Sequence, residues 1–246
     1  MAREESIIFG VRACLAVAKK RPEAIKRVLY DESNLHHIGD LLKATANQRR
    51  PYRQVEAEDL RRVAKTVHHE GVVVVADQKP MELFEDAVSS LGHDVLIIAL
   101  DGVDNPHNQG AIIRSAAWFG AEAVLIVQEG QTLNPAAVRV SQGGAESLRC
   151  LTTQSLESAL DQLRAMGFAI VGAEQKAKTS AFEQTYAGPT VLVMGSERDG
   201  LSEGVREKCT LEVSIPGSGE IESLNVSVAS GVLMSAIVTS RSTPQK

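Results

Sequence analysis

Cysteine is scarce in this sequence: three occur in 246 residues, Cys14, Cys150 and Cys209. Their odd number, wide spacing and lack of any Cys-x-x-Cys exclude a disulfide framework or a cysteine zinc site, and no metal is expected. A reduced compartment suits them. No apolar run approaches the roughly 18 to 20 residues of a membrane span. The opening MAREESIIFGVR places Glu4, Glu5 and Arg12 where a secretory leader would be basic and then uninterruptedly apolar. The expectation is a soluble, cytoplasmic protein with no membrane partner. Aromatic residues are only 4% of the chain, which leaves no wide platform for stacking bases. No Gly-Lys-Ser or Gly-Lys-Thr occurs, so a P-loop is excluded.

What is present is ordinary in amount and uneven in placement. Hydrophobic residues at 43% and charged residues at 23% fit a globular protein of one large or two modest domains. Residues 1–80 carry 15 Lys and Arg against 11 Asp and Glu, whereas residues 81–246 carry 11 against 20. The basic first part suggests a polyanion partner, with Lys19, Lys20, Arg21, Lys26, Arg27, Arg49, Arg50, Arg53, Arg61 and Arg62 as candidate phosphate contacts. Any single pair among them is equally a solvated helix face. A sequence pI near 5.7 argues against indiscriminate coating of nucleic acid, and no DNA partner is expected.

Helical spacing is read over residues 6–20, 36–47 and 58–67, and strands over 26–30, around 52–56 and over 71–76. This is a small α/β module, residues 1–77. A proline and a short acidic helical stretch follow in 78–94, read as a linker. From residue 95 to 246 strand, loop and helix alternate, with strands at 95–100, 123–127, 168–172, 191–195 and 211–215. Apolar strands without alternation, separated by helices, indicate a parallel sheet covered on both faces. The tail from Arg241 is expected to fray.

The stretch IPGSGEIESLNVSVASG, residues 215–231, has the look of a dinucleotide loop between strand and helix. The third glycine of that fingerprint is replaced by Glu222, no acidic residue follows, and no strand comes after the helix, so the nicotinamide reading fails. Two other junctions stand beside it. In DGVDNPHNQGAIIRSAAWFG, residues 101–120, Asn108 is a plausible helix cap and Gly120 a plausible stop. In VLVMGSERDGLS, residues 191–202, a strand enters a Gly-rich charged turn. Loops at the carboxyl ends of strands are where an α/β protein places its ligand. Each part also has a bland reading: Asn108 as a cap only, Glu197 and Arg198 as a surface ion pair, Ser223 and Asn225 as caps of the last helix.

Taken together, NPHNQGAIIRSAAWFGAEAVLI, LVMGSERDGLS and IPGSGEIESLNVSVASG resemble the three motifs of the SpoU (TrmH-type) RNA ribose 2′-O-methyltransferases, in order. FGVRACLAVAKK and HHEGVVVVA are similar to the substrate-binding domain of the bacterial 23S rRNA guanosine methyltransferases of that family. The resemblance implies a parallel-sheet SPOUT domain whose C-terminal segment forms a trefoil knot, preceded by a small α/β ribosomal-protein-like domain that binds substrate. It implies S-adenosyl-L-methionine as cofactor, held by Gly195, Ile215 and Leu224 largely through backbone, and a homodimer with its active site near the subunit interface. The matching polar set is Asn108, Arg114, Glu197, Ser223 and Asn225. Two departures, Asp-Asn-Pro in the first motif and Ile-Pro-Gly in the third, remove no catalytic group.

A sulfonium methyl donor needs little electrophilic help, so the catalyst must align a ribose hydroxyl and manage its proton. Arginine is a poor base. Arg114 is therefore expected to orient phosphate and hydroxyl and to stabilise developing alkoxide charge. Glu197 would hold Arg114 or the ribose, and Asn225 would anchor the loop. The expected substrate is rRNA, guanosine first, with tRNA second; Tyr52 and Arg53 are candidates for local stacking. The competing reading is a catalytically silent RNA-binding assembly protein that keeps the fold, and a small-molecule binder is a third.

Overall fold

The computed structural model describes residues 4–128, 130 and 132–242. The chain forms two compact units, Met1–Pro80 with Thr132–Ser147, and Met81–Gln131 with Leu148–Lys246.

The first unit begins β1 (Glu5–Phe9), α1 (Val11–Lys20), β2 (Ile25–Tyr30), α2 (Gly39–Asn47), β3 (Tyr52–Gln54), α3 (Ala57–Ala64) and β4 (Val72–Asp77). Its sheet runs β1-β4-β2-β3, with β4 antiparallel to both neighbours and β3 parallel to β2. All six residues of β4 are buried, and they alternate between two cores. Val72, Val74 and Ala76 pack with Cys14, Val17 and Leu41, while Val73 packs with Phe9, Leu60 and Ala64. The helix expected from residue 6 starts only at Val11. ESIIF is a strand because β4 gives it a partner, and Gly10, at φ 89°, turns the chain between the two.

The second unit contains β5 (Glu82–Leu83), α4 (Phe84–Ala87), β6 (Leu96–Leu100), α5 (Pro106–Trp118) and β7 (Ala123–Val127). The chain next contributes α6 (Pro135–Val140) and α7 (Gly144–Ser147) to the first unit. It resumes the second with β8 (Arg149–Thr153), α8 (Leu156–Ala165), β9 (Ala169–Ala173), β10 (Thr190–Met194), α9 (Glu203–Arg206), β11 (Leu211–Val213) and α10 (Val226–Ser242). The sheet order is β11-β9-β10-β6-β7-β8-β5, and every pair is parallel.

Two of these strands escaped the sequence reading. RCLTT in β8 is half polar, yet its threonines are buried with hydroxyls satisfied: Thr153 donates to Glu85 Oε1 at 2.9 Å. Residues 82–87, read as linker, hold β5 and α4, with Phe84 fully buried. Nor does Arg241 fray. It donates to the Gly188 carbonyl at 2.6 Å and to Thr190 Oγ1 at 2.9 Å, tying the end of α10 to the start of β10. Residues 243–246 lie outside the described residues.

Within the first unit, α7 packs on α1. Glu146 takes a two-pronged ion pair from Arg21, at 2.8 and 2.9 Å, with both side chains largely buried. Gly143 sits at φ 93° against α1, where a Cβ would lie 2.7 Å from that of Ala16.

Candidate active site

The site is assembled from the loops after β6, β10 and β11. The first two are tied together at the carboxyl end of the sheet. Asp101 N–H donates to the Met194 carbonyl at 2.9 Å, and Asp101 Oδ2 accepts from Ser202 N–H at 2.6 Å. Gln109, buried in α5, donates to the Val103 carbonyl at 2.8 Å and closes the loop onto the helix. Sequence reasoning missed Asp101 and Gln109. Their only signal is position, at the end of a strand and in the first turn of a helix.

Asn105, not Asn108, caps α5: its Oδ1 accepts from His107 N–H at 2.8 Å, with Pro106 at the first helical position. Asn108 is thereby released, one turn into the helix, for another partner. After β10 the chain folds into a tight hairpin, with Ser196 N–H and Gly200 N–H exchanging bonds with each other's carbonyls at 3.0 and 3.1 Å. Gly195 lies so close beneath it that a Cβ would meet the Gly200 carbonyl carbon at 2.2 Å. Glu197 projects near the tip. Arg198 is exposed and has no partner among the described residues, so no ion pair joins it to Glu197.

Three side chains meet here. Glu197 Oε1 accepts from Asn108 Nδ2 at 3.1 Å, from Asn225 Nδ2 and from Val226 N–H at 3.4 Å. Asn225 Nδ2 also reaches Asn108 Oδ1 at 3.1 Å. Asn225 is at the same time the cap of α10, its Oδ1 accepting from Ser227 N–H at 3.0 Å and Ser227 Oγ at 2.6 Å. The bland reading of Asn225 as a cap is thus correct and incomplete. Glu197 Oε2 has no partner among the described residues, which leaves an acceptor facing no protein group.

Arg114 stands apart. It is exposed, without a hydrogen bond or ion pair among the described residues. It lies six positions beyond Asn108 on the helix, about 240° of rotation, so Glu197 does not hold it. Ser223 is exposed, Leu224 is half exposed at 50%, Ile215 is partly buried and Gly195 buried.

From Ile215 to Leu224 only one backbone amide is engaged among the described residues, Glu220 N–H by Ser218 Oγ. The loop therefore offers free backbone donors and acceptors beside the exposed apolar side chains of Ile221 and Leu224. That is the donor set an adenosine moiety needs. No group of His, Cys, Asp and Glu among the described residues could hold a metal. Burial and the neighbouring Glu212 push the Cys209 thiol up to about 11, and burial pushes Cys14 up as well, so both are inert near neutral pH.

The chain thus combines a parallel α/β unit that carries a carboxamide–carboxylate cluster at its strand ends with a second, smaller α/β unit. The chain belongs to the SpoU rRNA Methylase family, whose model matches residues 95–235, and a model for RNA 2′-O ribose methyltransferase substrate binding matches residues 7–81. It is 33% identical over 241 residues to the 23S rRNA (guanosine-2′-O-)-methyltransferase RlmB of Pseudomonas putida, covering 95% of this chain and 96% of that protein. It is 32% identical over 231 residues to the uncharacterized tRNA/rRNA methyltransferase YfiF of Escherichia coli O157:H7, covering 94% and 67%. The crystal structure of the SpoU methyltransferase AviRb from Streptomyces viridochromogenes, in complex with the cofactor AdoMet, has the same fold, with a TM-score of 0.79 at 24% identity over 96% of this chain and 90% of that one.

Proposed function

We propose that this protein methylates a ribose 2′-hydroxyl of RNA using S-adenosyl-L-methionine, with guanosine in rRNA as the target and tRNA as the second choice. The observation that carries this is the meeting of Asn108, Glu197 and Asn225, one from each motif, at the carboxyl end of a parallel sheet.

The cofactor, when bound, supplies an electrophilic methyl group on a sulfonium sulfur. Gly195, Ile215 and Leu224, with the rest of the loop 215–225, would hold it, largely through backbone groups. Asn108 and Asn225 fix the carboxylate of Glu197, so Glu197 Oε2 accepts a hydrogen bond from the ribose without reorganising. Arg114 binds the adjoining phosphate and stabilises negative charge developing on the 2′-oxygen. Ser223, exposed in the same loop, would donate to the nucleotide.

The first unit selects the RNA. Of the candidate phosphate contacts, Arg21 and Lys26 are engaged with Glu146 and Asp77, and Arg61 and Arg62 with Glu58 and Asp59 on their own helix. Lys19, Lys20, Arg27, Arg49, Arg50 and Arg53 have no side-chain partner among the described residues, and these six form the proposed phosphate-binding set. Tyr52 and Arg53 lie on the fully exposed edge strand β3. Among the described residues no helix is long and apolar enough to cross a membrane, and the reading puts the protein in the cytoplasm with its RNA. The knot in the C-terminal segment and the homodimer belong to the same proposal. A groove of about 460 Å³ between α5 and α10, with Phe182 and Val228 exposed beside it, gives a second copy a surface that is both recess and protrusion.

The test is transfer of labelled methyl from S-adenosyl-L-methionine to total RNA from cells lacking the protein, with wild type compared to Arg114→Ala and the product mapped. Label in one RNA, reduced at least 100-fold by Arg114→Ala, is expected. Cofactor binding without label in any RNA would favour the silent assembly protein instead.

A further inference from the structure

The hairpin that presents Glu197 is shaped by its own two bonds between Ser196 and Gly200, but those bonds fix only its curvature. Where it stands depends on what holds its two stems. One residue holds both. Asp101 is the first residue beyond β6, whose Leu100 is in register with Met194 of β10. Its N–H donates to the Met194 carbonyl at 2.9 Å and fixes the entering stem. Its Oδ2 accepts from Ser202 N–H at 2.6 Å and fixes the leaving stem, where the Ser202 amide has no other acceptor among the described residues.

Gly102, at φ 66°, then turns the chain so closely past the hairpin that a Cβ on it would lie 3.6 Å from that of Ser196. At the far end of the same loop Gln109, buried in α5 and next in sequence to Asn108, donates to the Val103 carbonyl at 2.8 Å. Directional bonds thus run from both stems of the Glu197 hairpin to the helical turn that carries Asn108. The cluster of Asn108, Glu197 and Asn225 lies open to solvent, where water competes for each of its bonds. Such a cluster keeps its geometry only if the backbones that carry it are held independently.

We propose that Asp101 is a positioning residue for methyl transfer: by holding both stems of the hairpin it sets Glu197 against Asn108 and keeps Oε2 aimed at the ribose. The inference rests on the RNA methyltransferase reading and extends it to a residue that touches none of the three clustered side chains.

Asp101→Ala removes the side-chain tie and leaves the N–H bond in place. Asp101→Asn keeps an oxygen that can accept from Ser202 N–H. At saturating S-adenosyl-L-methionine, kcat should fall about tenfold in Asp101→Ala with KM for RNA within about twofold, the pattern of an interaction that acts in the transition state. Asp101→Asn should recover most of that loss. Amide hydrogen exchange gives a readout that needs no turnover: Ser202 should exchange about tenfold faster in Asp101→Ala and close to wild type in Asp101→Asn. Ile170→Val, a small truncation in the buried core, is the control for stability. It should lower the melting temperature comparably and leave kcat unchanged.

An unchanged kcat in Asp101→Ala, or unchanged exchange at Ser202, would overturn the proposal. So would an equal loss of kcat in Ile170→Val, which would make the effect one of general stability. Faster exchange in Asp101→Ala beside a wild type that transfers no methyl would sink the proposed activity, and Asp101 would remain a structural tie only.

Discussion

At Gly195 the backbone has no room for even one methyl group, because the atom it would strike is the carbonyl carbon of Gly200, which the hairpin bonds hold in place. Gly195→Ala must therefore open the turn that presents Glu197. Overpacking of this kind costs about 1–3 kcal/mol and sometimes more. The expected outcome is a melting temperature several degrees lower, together with loss of cofactor binding measured by calorimetry; unchanged binding would remove Gly195 from the cofactor site. The sequence made the polar residues legible individually, since Asn108, Glu197 and Asn225 each lie in a strand-to-loop junction. It did not show which asparagine caps α5. Asn105 and Asn108 are both good caps by type, and Pro106 decides between them by fitting only the first helical position after Asn105.

Elements carry two duties more often than their sequences suggest, and the start of α10 is the clearest case. Asn225 caps the helix through its oxygen and holds Glu197 and Asn108 through its nitrogen. Serine can replace the first function but not the second. Asn225→Ser should keep the cap and melt within about 2 °C of wild type, whereas Asn225→Ala should lose about 1 kcal/mol, or roughly 2–4 °C in a chain of this size. Both should lose methyl transfer by at least tenfold. Activity that survived in Asn225→Ser would leave the residue as a cap only. Helices and apolar parallel strands were read from periodicity; β1 and β8 were not. ESIIF satisfies helical and strand spacing alike, and RCLTT hides a buried strand behind three polar residues whose partners lie far along the chain.

At the scale of the molecule, the uneven charge was visible in composition, but its use was not. Ion pairs consume four of the ten candidate cations and leave the remaining six without side-chain partners. Replacing Arg49 and Arg50 together by alanine should weaken RNA binding and flatten its dependence on log salt by about 0.7 for each phosphate of a single strand that is no longer neutralised. Filter binding between low and moderate salt measures this, with Arg61→Ala as the control expected to change little. An unaltered slope would take these two arginines out of the interface. Light scattering of the intact protein decides the dimer, and Val228→Asp should yield a monomer.

The return of residues 132–147 to the first unit could not be foreseen by reading the chain from left to right. It also sets a timetable. During synthesis the first unit lacks its last pieces, α6 and α7 with Glu146 for Arg21, until 67 residues after Pro80 have been added. At about 5–20 residues per second the delay is roughly 3–13 s. Throughout that interval α1 keeps an open seam, which the chain's own later helices close.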